Sequence, residues 1–213
     1  GRHSRVTKDP ELRLAAVLAR NDPVPFVMNL TKAHSPAMWQ ILESFGVGRL
    51  VEHAGFDSLA QALREPGPWV GAFDFPFGLP RELVEALHWP QPWLPLMRHY
   101  QALERSEIRL LFKAFCDARP AGGKFAHRAC DRPAGSSPSM KWVNPPVAYM
   151  LHAGVPLLVD AGVHLPGLHE GDRQRVALEG YPGLLARELV GTRSYKADDA
   201  ARQTSSRLIA RKD

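Results

Sequence analysis

Cysteine is scarce in this 213-residue chain: Cys116 and Cys130 are the only two, and no C-x-x-C spacing occurs. The first residues, Gly1 to Asp9, are polar and unlike a secretory signal, so reduced thiols in a cytoplasm are expected. No apolar run approaches the ~18 residues of a membrane span, and no membrane partner is expected. A G-x-S-x-G elbow, a P-loop and a G-x-G-x-x-G fingerprint are all absent, and Gly122-Gly123-Lys124 is too short to cradle a phosphate. His164-x4-His169 with Cys130 lacks zinc spacing and reads as surface histidines. Cys116, within a long helical pattern, reads as a core thiol. No internal repeat occurs.

What is present is ordinary for a globular chain: 45% hydrophobic and 23% charged residues, enough for one domain over 1–213 with its own core. The net charge of +5 is unevenly placed. Residues 1–118 carry 13 basic and 13 acidic residues, so the whole excess falls in 119–213. The Gly/Pro/Ser-rich segment 119–141 holds Arg119, Lys124, Arg128, Arg132 and Lys141 against one acid, Asp131. A loop of that length is either functional or disordered, and Phe125, Met140 and Trp142 argue against disorder. It reads as a basic loop or lid able to attract a phosphate-bearing partner, nucleic acid among them, or as a solvated loop with none.

The stretch around which the chain is organised is Trp69 to Pro80, W-V-G-A-F-D-F-P-F-G-L-P. The unbroken apolar run predicts a central strand buried on both faces, ended by Pro76, Gly78 and Pro80. Asp74 then stands at the carboxyl end of that strand, where open α/β sheets bind ligands. Capping of the turn or of the next helix is the competing role for this aspartate.

The rest of the chain alternates. Leu12 to Ala19, Phe26 to Leu30 and Gly48 to Phe56 are predicted strands, and Ser35 to Phe45 is an amphipathic helix. Asp57-Ser58 opens a helix through Leu63, and Arg81 to Leu87 forms another before an irregular stretch to Pro95. One long helix is expected from Met97 to Ala118, with Glu104 in the middle of its apolar face, either paired or turned to a polar cavity. Asn144-Pro145-Pro146 starts a helix through His152, stopped by Gly154; Val155 to Asp160 and Val163 to Leu165 then read as a hairpin. Val176 to Tyr181 is a strand, followed by a helix from Pro182 to Val190.

This placement puts Glu179, like Asp74, near the carboxyl end of a strand. Two acids on one rim repel unless a cation or a proton lies between them. Together they are the minimum for a Mg²⁺ or Mn²⁺ site, because hard cations take carboxylate oxygen and Mg²⁺ keeps several waters. Basic side chains on the 119–141 segment then hold phosphate and offset developing charge.

Four motifs occur in a fixed order: F-D-F-P-F-G-L-P (Phe73 to Pro80), K-F-A-H-R-A-C-D (Lys124 to Asp131), L-E-G-Y-P (Leu178 to Pro182) and S-Y-K (Ser194 to Lys196). As a set they resemble an uncharacterised bacterial family of predicted nucleases with an RNase H-like fold. The likeness spans roughly residues 69–207 and leaves 1–50 poorly matched. It implies an α/β fold, a mixed sheet flanked by helices with a basic loop insertion, and acids gathered at one edge for a divalent metal. Asp74 and Glu179 match the family's acids and are the implied catalytic and metal-binding residues, with Mg²⁺ or Mn²⁺ as the implied cofactor. Arg128, Tyr195 and Lys196 match further motif positions, to which phosphate binding is assigned here together with Lys124 and Lys141. RNase H-like enzymes also use a first-strand aspartate and commonly an acid in the last helix. Neither Leu12 to Ala19 nor Phe26 to Leu30 contains an aspartate, and the sequence opens on Gly1 rather than methionine. Segments lacking at one or both ends, or a diverged N-terminal region, would explain both. Three activities remain open at this point: a metal-dependent nuclease, a non-catalytic nucleic-acid or phosphate-binding module, and an enzyme of small phosphorylated metabolites.

Overall fold

The structure is a computed structural model that describes His53, residues 55–181 and Gly183. The expected elements within 1–50, most of the strand Gly48 to Phe56, the helix Pro182 to Val190, and Tyr195 and Lys196 lie outside the described residues. Among those described, the order is α1 (Phe56–Leu63), β1 (Trp69–Phe73), α2 (Arg81–Ala86), α3 (Trp93–Gln101), α4 (Arg105–Asp117), α5 (Asp131–Ala134), α6 (Val147–Asp160), β2 (Val163–His164) and β3 (Asp172–Glu179). This is an α/β arrangement: a small open parallel sheet of three strands, ordered β1-β3-β2, flanked by helices. None of the described helices is long and apolar enough to cross a membrane.

β1 forms where the apolar run predicts it, but it is not buried on both faces. Trp69, Gly71 and Phe73 are buried, whereas Val70 and Ala72 are half-buried. Among the described strands β3, not β1, is central, pairing from Trp69↔Arg175 to Phe73↔Glu179 on one side and with β2 on the other. β3 begins four residues before the expected Val176, because Asp172, Arg173 and Gln174 are exposed and carry no apolar alternation to signal a strand.

The core grows from three alternate residues of the organising stretch. Phe73, Phe75 and Phe77 are all buried, with ring centroids 5.8 Å apart for the first pair and 5.5 Å for the second. The Phe75 ring lies against α6 at Gly154, where a β-carbon would come within 2.5 Å of it. That close approach explains why Gly154 does not stop the helix: α6 runs on through Gly154 and Pro156 to Asp160. The expected strand Val155 to Asp160 is therefore helix, and Val163–His164 joins β3 rather than a hairpin with it.

The single helix expected over Met97 to Ala118 is two. Trp93–Gln101 ends at Ala102, and Glu104 becomes the N-cap of α4 in a reciprocal capping box with Glu107. The Glu104 backbone N–H donates to Glu107 Oε2 at 2.7 Å, and the Glu104 side chain accepts from the Glu107 backbone. Glu104 is thus a helix cap and not a buried acid in search of a partner. Tyr100 fixes the α3–α6 contact by donating its buried hydroxyl to the Ala148 carbonyl at 3.0 Å. Burial, with Tyr149 nearby, pushes its phenol above the ordinary value.

Arg175, near the start of β3, joins the C-terminal ends of two helices. Its Nη1 donates to the Leu63 carbonyl at 3.0 Å and to the Ala161 carbonyl at 2.9 Å, at the C-terminal ends of α1 and α6. A cation there satisfies orphan carbonyls and complements the helix dipoles. Its Nε also donates to Asp172, which holds that carboxyl below its usual range. The N-terminal end of the sheet is thereby fastened, and the C-terminal end carries the remaining acids.

Candidate functional site

Asp74 follows the last residue of β1, and Glu179 is the last residue of β3. Phe73 is the register partner of Glu179, so the two acids stand one step apart at the C-terminal rim of adjacent parallel strands. The Gly180 N–H donates to the Phe73 carbonyl at 2.9 Å and continues the pairing past the strand end. Asp74 is half-buried.

Glu179 is held by two partners. Arg128 grips it with both arms of the guanidinium, Nη2 to Oε1 at 2.6 Å and Nη1 to Oε2 at 2.7 Å. The Phe77 backbone N–H donates to Oε2 at 2.9 Å. Because Trp93 Nε1 donates to the Phe77 carbonyl at 2.6 Å, the loop after Asp74 is fixed at Phe77 from both sides. A carboxylate has about four lone-pair sites. Among the described residues, the three bonds use both sites of Oε2 and one of Oε1, which leaves a single site on Oε1.

Behind Arg128 stands Asp131, the residue sequence reasoning missed as a site member. Its side chain is fully buried. Oδ1 accepts from Arg128 Nε at 3.0 Å and from Nη2 at 2.8 Å, while Oδ2 accepts from the Arg128 backbone N–H at 2.8 Å. The R-A-C-D spacing lets both residues share one turn: the Asp131 N–H donates back to the Arg128 carbonyl, and α5 then closes on Gly135 in the left-handed conformation. Tyr181, just beyond β3, donates its hydroxyl to the Gly135 carbonyl at 3.3 Å. The signal for Asp131 was its solitude, one acid within a basic loop.

Burial works against the charge on Arg128, but hydrogen bonds to Glu179 and Asp131 more than offset it and hold the guanidinium above its ordinary range. Of its five N–H donors, two serve Asp131 and two serve Glu179, so among the described residues one on Nη1 remains. The phosphate-binding role expected of Arg128 is confined to that donor. Cys130 adjoins the cluster; burial raises its thiol, Arg128 opposes this, and Asp131 and Glu179 reinforce it.

Among the described residues, neither Lys124 nor Lys141 makes a hydrogen bond or ion pair with Glu179 or Asp131. Lys124 is exposed, and its charge acts on Cys116 and Asp117 at the end of α4. Lys141 is half-buried, and its carbonyl accepts from the Ala148 N–H at 2.9 Å. His164 lies 3.5 Å from Glu170, and His169 stacks on Trp93.

Among the described residues no group of three or more His, Cys, Asp or Glu side chains is gathered for a metal. Asp74 and Glu179 are the two acids of this rim that would offer hard oxygen to Mg²⁺ or Mn²⁺, with water filling the other positions. No family model, no curated protein and no solved structure matches the chain.

Proposed function

We propose that the chain is a cytoplasmic, divalent-metal-dependent hydrolase of phosphodiester bonds in nucleic acid, with an RNase H-like arrangement and its centre at the C-terminal rim of β1 and β3. The observation that carries this reading is the pairing Phe73↔Glu179, which sets Asp74 and Glu179 side by side on that rim. Asp74 and Glu179 would hold the ion. When bound, Mg²⁺ or Mn²⁺ supplies an activated water and stabilises the leaving oxygen. Arg128 keeps Glu179 aligned and offers its remaining N–H to a phosphate oxygen. Lys124, Lys141, Tyr195 and Lys196 contribute contacts along the backbone of a longer substrate.

Cleavage of labelled single- and double-stranded DNA and RNA, with Mg²⁺ or Mn²⁺ and with chelator, tests the reading. Cleavage is expected with metal, and its loss by more than about a hundredfold in Asp74→Asn, as when a transition-state charge stabiliser is removed. Metal-independent cleavage, or full activity in Asp74→Asn, refutes it. The engagement of three of four Glu179 lone-pair sites favours a second reading, a module that binds nucleic acid or a phosphate ligand without cleaving it. Salt-sensitive binding that survives Asp74→Asn without any cleavage selects that reading.

A further inference from the structure

We propose that Asp131 is a positioning residue, whose carboxylate acts through Arg128 to set the orientation of Glu179 and, through Glu179, the seat of the Asp74–Pro80 loop. The chain of contacts is continuous: Asp131 to Arg128, Arg128 to Glu179, Glu179 to the Phe77 N–H. Each link is fixed for a reason. Asp131 is fully buried and takes the Arg128 backbone N–H as well as its side chain, so its carboxylate cannot turn without losing both. The guanidinium is planar and rigid, so fixing Nε and Nη2 on Asp131 dictates where Nη1 and the second Nη2 hydrogen point. Those two hydrogens face Glu179, which is one-third exposed at the strand end and, unlike Asp131, is not buried. Glu179 then receives Phe77, three residues beyond Asp74, across 102 positions of sequence.

The consequence for metal binding rests on the function proposed above; the orientation of Glu179 does not. The test is therefore made without metal, by hydrogen exchange at the Phe77 amide of the whole chain. A hydrogen bond to a charged acceptor is strong enough that its loss speeds exchange by about tenfold or more. Glu179→Ala removes the acceptor and sets the upper limit. Asp131→Asn, which keeps the size of the side chain, is expected to approach that limit at Phe77 while amides within β1, β3 and α6 stay protected. Arg128→Lys keeps the charge but loses the fork, and gives the same selective change; it carries the test if Asp131→Asn does not fold. Wild-type protection at Phe77 in both folded variants overturns the proposal. A role in general stability alone, which would lower protection in the strands and at Phe77 equally, overturns it too. The melting temperature of the wild-type chain with and without Mg²⁺ is recorded separately. If metal gives no shift while Phe77 responds selectively, the metal reading fails and the positioning role stands.

Discussion

Replacing Arg128 by methionine keeps much of the side-chain bulk but leaves Asp131, fully buried, without its countercharge. Two of the hydrogen bonds to Oδ1 disappear, at 3.0 and 2.8 Å, while the backbone N–H on Oδ2 and the Ser136 hydroxyl remain. Removing one partner of a buried pair typically costs about 3–5 kcal/mol. The bonds that remain place this case at the low end, about 3 kcal/mol. The Glu179 side is one-third exposed and screened by solvent, so it adds about 1 kcal/mol at most. For a chain of this size such a loss lowers the melting temperature by roughly 6–12 °C. Urea denaturation measures it as a lower midpoint with an unchanged slope. Arg128→Met with Asp131→Leu removes the stranded charge as well, and is expected to recover most of the loss. A single variant that costs less than about 1 kcal/mol, or a double variant no better than the single, refutes the reasoning.

Two further predictions concern the frame that carries the site. Gly154→Ala forces a methyl group to within 2.5 Å of the Phe75 ring, and overpacking of this kind costs about 1–3 kcal/mol, read as a lower urea midpoint. Stability that is unchanged would mean the α6–Phe75 contact is looser than described. The second is an alkaline limit set by Tyr100, whose folded phenol is raised above its ordinary value by burial and by Tyr149. A raised acid contributes stability that is present below the unfolded value near pH ~10 and lost as pH climbs towards the folded one. Absorbance at 295 nm should show Tyr100 ionising only together with unfolding. Ionisation of Tyr100 in a still-folded chain would contradict it.

The legible parts of the fold are those where local chemistry and tertiary packing agree. Trp69–Phe73 follows from an apolar run ended by Pro and Gly, Phe56–Leu63 from Asp57-Ser58 and the Pro66-Gly67 stop, and Arg81–Ala86 lies between Pro80 and His88-Trp89-Pro90. The break at Ala102–Glu104 was hidden because those residues are good helix formers and no Gly or Pro marks it; the E-x-x-E box was the available clue. Gly154 and Pro156 misled in the other direction. Their place in α6 is set by a ring from a distant loop, a contact no local pattern contains. The site divides in the same way. The strand-end acids could be read from the alternation of elements, and Arg128 came from the motif resemblance. That Arg128 is committed to two carboxylates depends on a turn, R-A-C-D, whose partner Glu179 lies 51 residues away. On the Glu179 side of the rim, where a cation or a proton was expected between the two acids, a guanidinium is bound.

The most direct measurement is the binding of Mg²⁺ or Mn²⁺ by the wild-type chain and by Asp74→Asn, followed by thermal shift and titration calorimetry. At ten times the dissociation constant, one bound ion stabilises the folded chain by about 1.4 kcal/mol, or roughly 3–6 °C. The account predicts a shift of that size in the wild type at millimolar metal and none in Asp74→Asn. A wild-type chain that neither shifts nor binds, or an Asp74→Asn variant that binds as tightly, would contradict it.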